Sequence, residues 1–263
     1  MELGLKNRVA VVTGGSEGIG KAAAISLAGE GADVIILART QSKLDSALQE
    51  IRSTAVGKVE SISCDVTDRD AVNRTFDQIL QKWGRIDILV NNAGSGNANS
   101  FDDLTDVMLD GDLQLKVFGA VFCSQVVLPS MRKARWGRII NITTAAGKAA
   151  AGSSVPTSMS RAAGIAMTKA MSKEYAPDNV LVNTVCIGSI KSGQNDRKWK
   201  VAVTQGSKLT LDEYYGNNGK NIPLGRVGEA MEAGDLICFL ASEKASYISG
   251  TAINIDGGAA PVV

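Results

Sequence analysis

The sequence predicts a doubly wound α/β fold, a single domain built on a parallel sheet of about seven strands with helices on both faces. Three observations predict it. Short runs rich in Val and Ile recur along the 263 residues. Stretches of helical period separate those runs. The first run passes directly into a glycine-rich turn. With 44% of residues apolar and 21% charged, the chain can bury one large core and is read as one unit from 1 to 263.

The first strand, Val9 to Val12, runs into Thr13-Gly14-Gly15-Ser16-Glu17-Gly18-Ile19-Gly20, and a helix follows from near Lys21 through Ala22, Ala23, Ala24, Ile25 and Leu27. Glycine lets the backbone turn tightly and approach a pyrophosphate, while the unpaired N–H groups of the first helical turn carry the partial positive charge that holds it. A glycine triplet alone says little, but strand, turn, helix and second strand in succession are the context of a Rossmann-type nucleotide site. Gly14, Ser16, Glu17, Gly18, Ile19 and Gly20 are therefore candidate cofactor ligands.

The second strand, Val34 to Leu37, leads into Ala38-Arg39-Thr40. An NAD-binding fold places an acidic residue at this carboxyl end, on the adenosine ribose. Ala38 stands there instead, and Asp33 precedes the strand, roughly 13 Å away at about 3.3 Å per residue. Arg39 offers a guanidinium fork that meets a 2′-phosphate, so the sequence favours NADP(H) over NAD(H). Glu17, an acidic residue inside the turn, runs against that preference.

A less regular run at Val59 to Ser63, then Ile86 to Val90, Arg138 to Ile142, Val180 to Val185 and Ala252 to Ile255, complete the expected strands. Between Ser192 and Asn221 the pattern changes, with Lys, Arg, Gln, Asn and Gly mixed among Trp199, Tyr214 and Tyr215. This reads as an inserted mobile segment, a substrate lid at 192–221.

Composition removes several function classes. Lys plus Arg number 28 against 27 Asp plus Glu, so no broad basic field attracts nucleic acid or an anionic membrane. The first dozen residues lack the features of a signal peptide, and no uninterrupted apolar run reaches the eighteen or so residues that span a bilayer. The expectation is a soluble cytoplasmic protein with a small-molecule substrate. Cys64, Cys123, Cys186 and Cys238 are far apart, show no metal-ligand spacing and lie in or beside apolar runs, as buried free thiols do. The chain has no histidine, which excludes a Ser-His-Asp hydrolase and removes the commonest metal ligand. No metal is expected.

The turn Thr13 to Gly20 resembles the TGxxxGIG motif of the short-chain dehydrogenase/reductase family, and Asn91-Asn92-Ala93-Gly94 matches its NNAG motif. The resemblance runs from about Leu5 to Gly258, taking in Cys64-Asp65-Val66, Gly137 to Ile142, Ser249-Gly250-Thr251 and Asp256-Gly257-Gly258. It implies that Asp65 accepts from the adenine amino group and that the Asn91 to Gly94 turn supports the cofactor and the central strand. It also places Val66, Gly188 and Ile190 on the cofactor. Dimers or tetramers built on the helices near Asp112 to Met131 and Ser158 to Tyr175 are expected from the same resemblance.

Family chemistry rests on a Ser, a Tyr-x-x-x-Lys pair and an upstream Asn, and this sequence departs from that pattern. Aligned from Ile140-Asn141-Ile142, Thr144 takes the serine position, Thr157 the tyrosine position and Arg161 the lysine position, while Lys116 stands where asparagine is usual. Either hydroxyl residue can hydrogen-bond a substrate carbonyl. An aliphatic hydroxyl is a far weaker acid than a phenol, and arginine, unlike lysine, does not pass a proton. Arg161 can still clamp the nicotinamide ribose. Three readings follow. Another donor acts, such as Lys116, Tyr214, Tyr215 or a water held by Thr144 and Thr157. Alternatively the substrate, an iminium ion or conjugated alkene, needs no strong acid. In the third, NADP(H) binds without redox turnover, in a silent binding protein; a lyase or isomerase on the same scaffold is a further alternative.

Overall fold

The computed structural model describes residues 2–263. The chain opens with β1 (Val9–Thr13), α1 (Gly18–Gly29), β2 (Asp33–Ala38), α2 (Gln41–Arg52), β3 (Val59–Ser63) and α3 (Arg69–Trp83). It continues with β4 (Ile88–Asn91), β5 (Ala98–Asn99), α4 (Asp106–Leu113), α5 (Gly119–Ala134), β6 (Gly137–Thr144), β7 (Val155–Pro156) and α6 (Thr157–Tyr175). The last elements are β8 (Val180–Ile187), α7 (Gly193–Thr204), α8 (Leu211–Gly219), α9 (Ala230–Ala241) and β9 (Ala252–Ile255). Seven strands form one sheet in the order β3-β2-β1-β4-β6-β8-β9, and every neighbouring pair is parallel. This is the single-domain, Rossmann-type fold that the sequence predicts. Strand order reverses between β1 and β4, which opens a crevice at their carboxyl ends.

Both faces of the sheet are buried. Ala10 and Val12 of β1 join Leu27, Ile36, Val90 and Ile237 on one face, whereas Val9 and Val11 join Ile35, Phe76, Leu89, Cys123 and Val182 on the other. Small side chains set the helix spacing: a Cβ at Gly234 of α9 would stand 2.7 Å from the carbonyl carbon of Ala22 in α1. All four cysteines are buried free thiols.

Three features depart from the expectations. The segment from Asp106 to Ala134 is one continuous helix, passing from α4 through a π turn at Gln114–Phe118 into α5. It is long and apolar enough, by length and composition, to cross a membrane, although Asp112 and Lys116 break its apolar run in sequence. Here α5 buries Cys123, Val127 and Met131 against the sheet. The second departure is that 192–221 is largely helical. Ser192 caps α7, and Thr210 with Glu213 forms a capping box on α8. No residue of α7 is buried, so it carries no apolar stripe for periodicity to detect. Finally, β5 and β7 pair as an antiparallel ribbon outside the main sheet, Ala98 opposite Pro156 and Asn99 opposite Val155. Two residues per strand are too few to show a period.

Candidate active site

A cavity of about 510 Å³ occupies the crevice. Gly14, Ser16, Glu17, Gly18 and Ile19 line it from the glycine turn. Gly14 and Gly18 have φ of 65° and 56°, the left-handed region that side chains disfavour. No side chain caps α1, which leaves N–H groups of its first turn for a ligand. Gly20 does not line the cavity. A Cβ there would lie 2.4 Å from both Asn92 Nδ2 and the Gly14 carbonyl oxygen, so this glycine permits close packing of α1 against the turn.

Asn92 locks the two central turns together, its Nδ2 donating to the carbonyls of Thr13 (3.0 Å) and Gly14 (3.1 Å). Thr13 Oγ1 accepts from the N–H groups of Asn92 (3.0 Å) and Ala93 (3.1 Å). Asn92, Ala93 and Gly94 therefore reach the cavity, but Asn91 does not. Its buried amide donates to Ser124 Oγ (3.2 Å) and Asn141 Oδ1 (2.9 Å), and Asn141 donates onward to Thr168 Oγ1 (2.8 Å). Asn91 thus ties β4 to α5 and β6, supporting the site from behind.

On the β2 side, Arg39, Asp65 and Val66 line the cavity. Arg39 is exposed just beyond β2, while Asp33 sits at the opposite end of that strand, accepting from Lys58 N at 2.8 Å. Asp65 Oδ1 accepts from Thr67 N (3.0 Å) and Thr67 Oγ1 (2.8 Å). Glu17 is held by two cations: Arg197 of α7 donates to both carboxylate oxygens (2.9 and 3.2 Å), and Lys43 of α2 to one (3.2 Å). Hydrogen bonding from Arg197 above all, opposed by partial burial and reinforced by Lys43, holds the Glu17 carboxyl below its ordinary range. Sequence reading missed Lys43 and Arg197, which lie in polar stretches without a motif.

At the other end stand Thr144, Thr157 and Arg161, with Gly188 and Ile190 beside them. Arg161 Nη1 donates to the Ile142 carbonyl at 2.6 Å, and a Cβ at Gly94 would lie 3.1 Å from its Nη2. Burial lowers the Arg161 guanidinium to about 10. Arg161 Nε and Thr144 Oγ1 are buried without a protein partner, and such groups call for a ligand or water. Thr157, at the head of α6, donates to the Asn97 carbonyl (2.7 Å) and accepts from Asn97 N (3.1 Å) and Lys116 Nζ (3.1 Å). Lys116 is not on the cavity wall. It lies behind Thr157 and forms a buried ion pair with Asp112, whose second oxygen accepts from Ser160 Oγ at 2.6 Å.

The two tyrosines considered as donors lie elsewhere. Tyr215 packs with Ile222 and Val227, and Tyr214 against that cluster. The Tyr215 hydroxyl donates to Asp196 Oδ1 at 2.6 Å, and burial, with that bond, pushes it up to about 12. Neither lines the cavity, because α8 carries both of them away from its mouth.

A family profile described as short chain dehydrogenase matches residues 8–201. The chain belongs to that family. Among its short-chain dehydrogenase relatives, a 3-oxoacyl-[acyl-carrier-protein] reductase, FabG, of Aquifex aeolicus is 34% identical over 258 residues, covering 98% of this chain and 99% of that one. L-sorbose reductase of Gluconobacter frateurii, solved with NADPH and L-sorbose, superposes with a TM-score of 0.94 at 28% identity, with both chains fully covered. The structure of YwfH, an NADPH-dependent reductase involved in bacilysin biosynthesis, gives a TM-score of 0.89 at 30% identity over 98% of this chain and all of that one.

Proposed function

We propose that this short-chain dehydrogenase transfers a hydride between NADP(H) and a small carbonyl, imine or enone substrate, and that its proton travels by a route other than a Tyr-x-x-x-Lys pair. One observation carries the reading. A single cavity joins the uncapped start of α1, Arg39 and Asp65 at one end to the unpartnered Thr144 hydroxyl and Arg161 Nε at the other. Those groups fit the cofactor: backbone N–H groups for the pyrophosphate, Arg39 for the 2′-phosphate, Asp65 for the adenine amino group and Arg161 for the nicotinamide ribose. That FabG, L-sorbose reductase and YwfH are named reductases, the latter two with NADPH, supports the same assignment.

When bound, NADPH supplies the hydride that the electrophilic carbon of the substrate accepts. The remaining work falls to side chains. Thr144 Oγ1 donates to the substrate oxygen or nitrogen, and the Arg161 cation offsets negative charge developing nearby. As the hydride arrives, the C=O π pair moves onto oxygen, which takes the Thr157 Oγ proton once that hydroxyl rotates away from the Asn97 carbonyl it donates to at rest. Thr157 recovers a proton from the Lys116 ammonium, and the resulting amine is later reprotonated from solvent. Burial first, and repulsion from Arg161 second to it, lower the Lys116 pKa against the raising effect of Asp112. That shift makes the ammonium a readier proton donor than an ordinary lysine.

The test is a fluorescence titration with NADPH and NADH, followed by substrate-dependent loss of NADPH absorbance across carbonyls, imines and enones. Tight NADPH binding with turnover on at least one class is expected. Failure to bind either nucleotide overturns the proposal, and binding with no oxidation on any class moves the chain to the silent-binder reading. A second reading has its own observation: Thr157 spends its only proton on Asn97. It takes the substrate to be an iminium ion or conjugated alkene that needs no strong acid, and under it ketones stay unreduced while iminium ions turn over.

A further inference from the structure

We infer that Arg197 of α7 is a specificity determinant for NADP(H), acting by neutralising Glu17, a carboxylate that would otherwise face the 2′-phosphate. The inference rests on the reading of NADP(H) as cofactor. Glu17, Arg39, Lys43 and Arg197 all line the same cavity. Glu17 lies in the glycine turn, directly before α1, and its carboxylate points toward the start of α7. A Cβ at Gly193 would stand 3.2 Å from Glu17 Oε2 and 3.4 Å from Arg197 Nη1. The two-pronged Arg197 contact joins residues 180 positions apart, with Lys43 as the third member.

The pair has little to do for the fold. Its side chains are 40% and 54% exposed, and exposed pairs contribute little to stability. Moreover, α7 is anchored without it, through Asn195 Nδ2 on the Ile190 carbonyl (2.8 Å), Gln194 Oε1 accepting from Gly96 N (3.1 Å) and Asp196 on the Tyr215 hydroxyl. The consequence of the pair is therefore electrostatic and falls on the ligand. With Arg197 in place, Arg39 and Lys43 face a dianionic phosphate beside a neutralised carboxylate. Without Arg197, Lys43 is left to balance Glu17, and the carboxylate repels the phosphate. NADH has a 2′-hydroxyl at that position, which an unpaired Glu17 accepts from instead of repelling.

The experiment is a double-mutant cycle. Dissociation constants for NADPH and NADH are measured by fluorescence titration at low and high salt for the unmodified chain, Arg197→Ala, Glu17→Gln and the double variant, with circular dichroism melting as a check on folding. Arg197→Ala is expected to weaken NADPH about tenfold at low salt, less at high salt, and to leave NADH unchanged or tighter. Glu17→Gln removes that dependence, so the double variant binds NADPH within about threefold of Glu17→Gln alone. Equal losses for both cofactors in Arg197→Ala overturn the inference. So does a double variant that remains as weak as Arg197→Ala, which would mean that Arg197 touches the phosphate itself. Failure of the unmodified chain to bind NADPH overturns the cofactor reading as well, so the two failures are told apart.

Discussion

Lys116 Nζ donates to Thr157 Oγ1 at 3.1 Å across 41 positions of sequence. A hydroxyl on the cavity wall is thereby wired to a buried ammonium, with Asp112 behind it. In the proposed proton route this pair stands in for the Tyr-x-x-x-Lys pair that the sequence lacks, with Lys116 as the acid and Thr157 as the path to the substrate.

In the reducing direction the relay needs Lys116 protonated. Its pKa is lowered from the ordinary 10.5, so kcat at saturating NADPH should fall as pH rises through that lowered value and should hold below it. In the oxidising direction the sign reverses, because the amine form is then the acceptor. Thr157→Val should cut turnover by a factor on the order of 10² or more with NADPH affinity unchanged, and Thr157→Ser should keep most of it. Turnover within a few-fold of the unmodified chain in Thr157→Val, measured with the same substrate, would remove Thr157 from the proton path.

The same ion pair makes a stability prediction. The side chains of Lys116 and Asp112 are 1% and 2% exposed, so Lys116→Met leaves a buried carboxylate unpaired and should cost about 3–5 kcal/mol. Adding Asp112→Asn removes that charge while still accepting from Ser160, so urea unfolding should find the double variant more stable than Lys116→Met alone. A double variant as unstable as the sum of the two singles would mean that the pair is uncoupled.

Arg39→Ala should weaken NADPH by roughly 1.5–3 kcal/mol, the range for a hydrogen bond to a charged group, and leave NADH nearly untouched. Equal losses, read by the same fluorescence titration, would place the Arg39 guanidinium away from the 2′-phosphate.

Gly18 holds φ at 56°, a conformation that costs an ordinary residue roughly 1–2 kcal/mol. Gly18→Val adds a branched side chain on the cavity wall, so nucleotide binding should vanish while circular dichroism shows the fold retained. Binding that persists in this variant would make the turn structural only.

Much of the molecule was legible in its residues because the physics involved is local. The runs at Val9 to Val12 and Val180 to Val185 declare strands that are buried on both faces. The turn from Thr13 to Gly20 declares the glycine-rich wall of the cavity, because backbone freedom and helix N–H groups are properties of contiguous residues. Arg39 reaches the cavity from its place just after β2. By contrast, 192–221 concealed two helices, since α7 buries none of its residues and leaves no periodic trace.

The sequence by itself determined the fold class, the glycine turn with Arg39 and Asp65 at one end of the cavity, and the residues Thr144, Thr157 and Arg161 at its far end. Tertiary structure alone decided their partners. It removed Tyr214 and Tyr215 from the cavity, set Lys116 behind Thr157, turned Asn91 inward and brought Arg197 onto Glu17. The reason is physical: a helix or a turn is specified by neighbours in sequence, whereas a hydrogen bond or ion pair between residues 41 or 180 positions apart exists only once strand order and helix packing have brought the two side chains together.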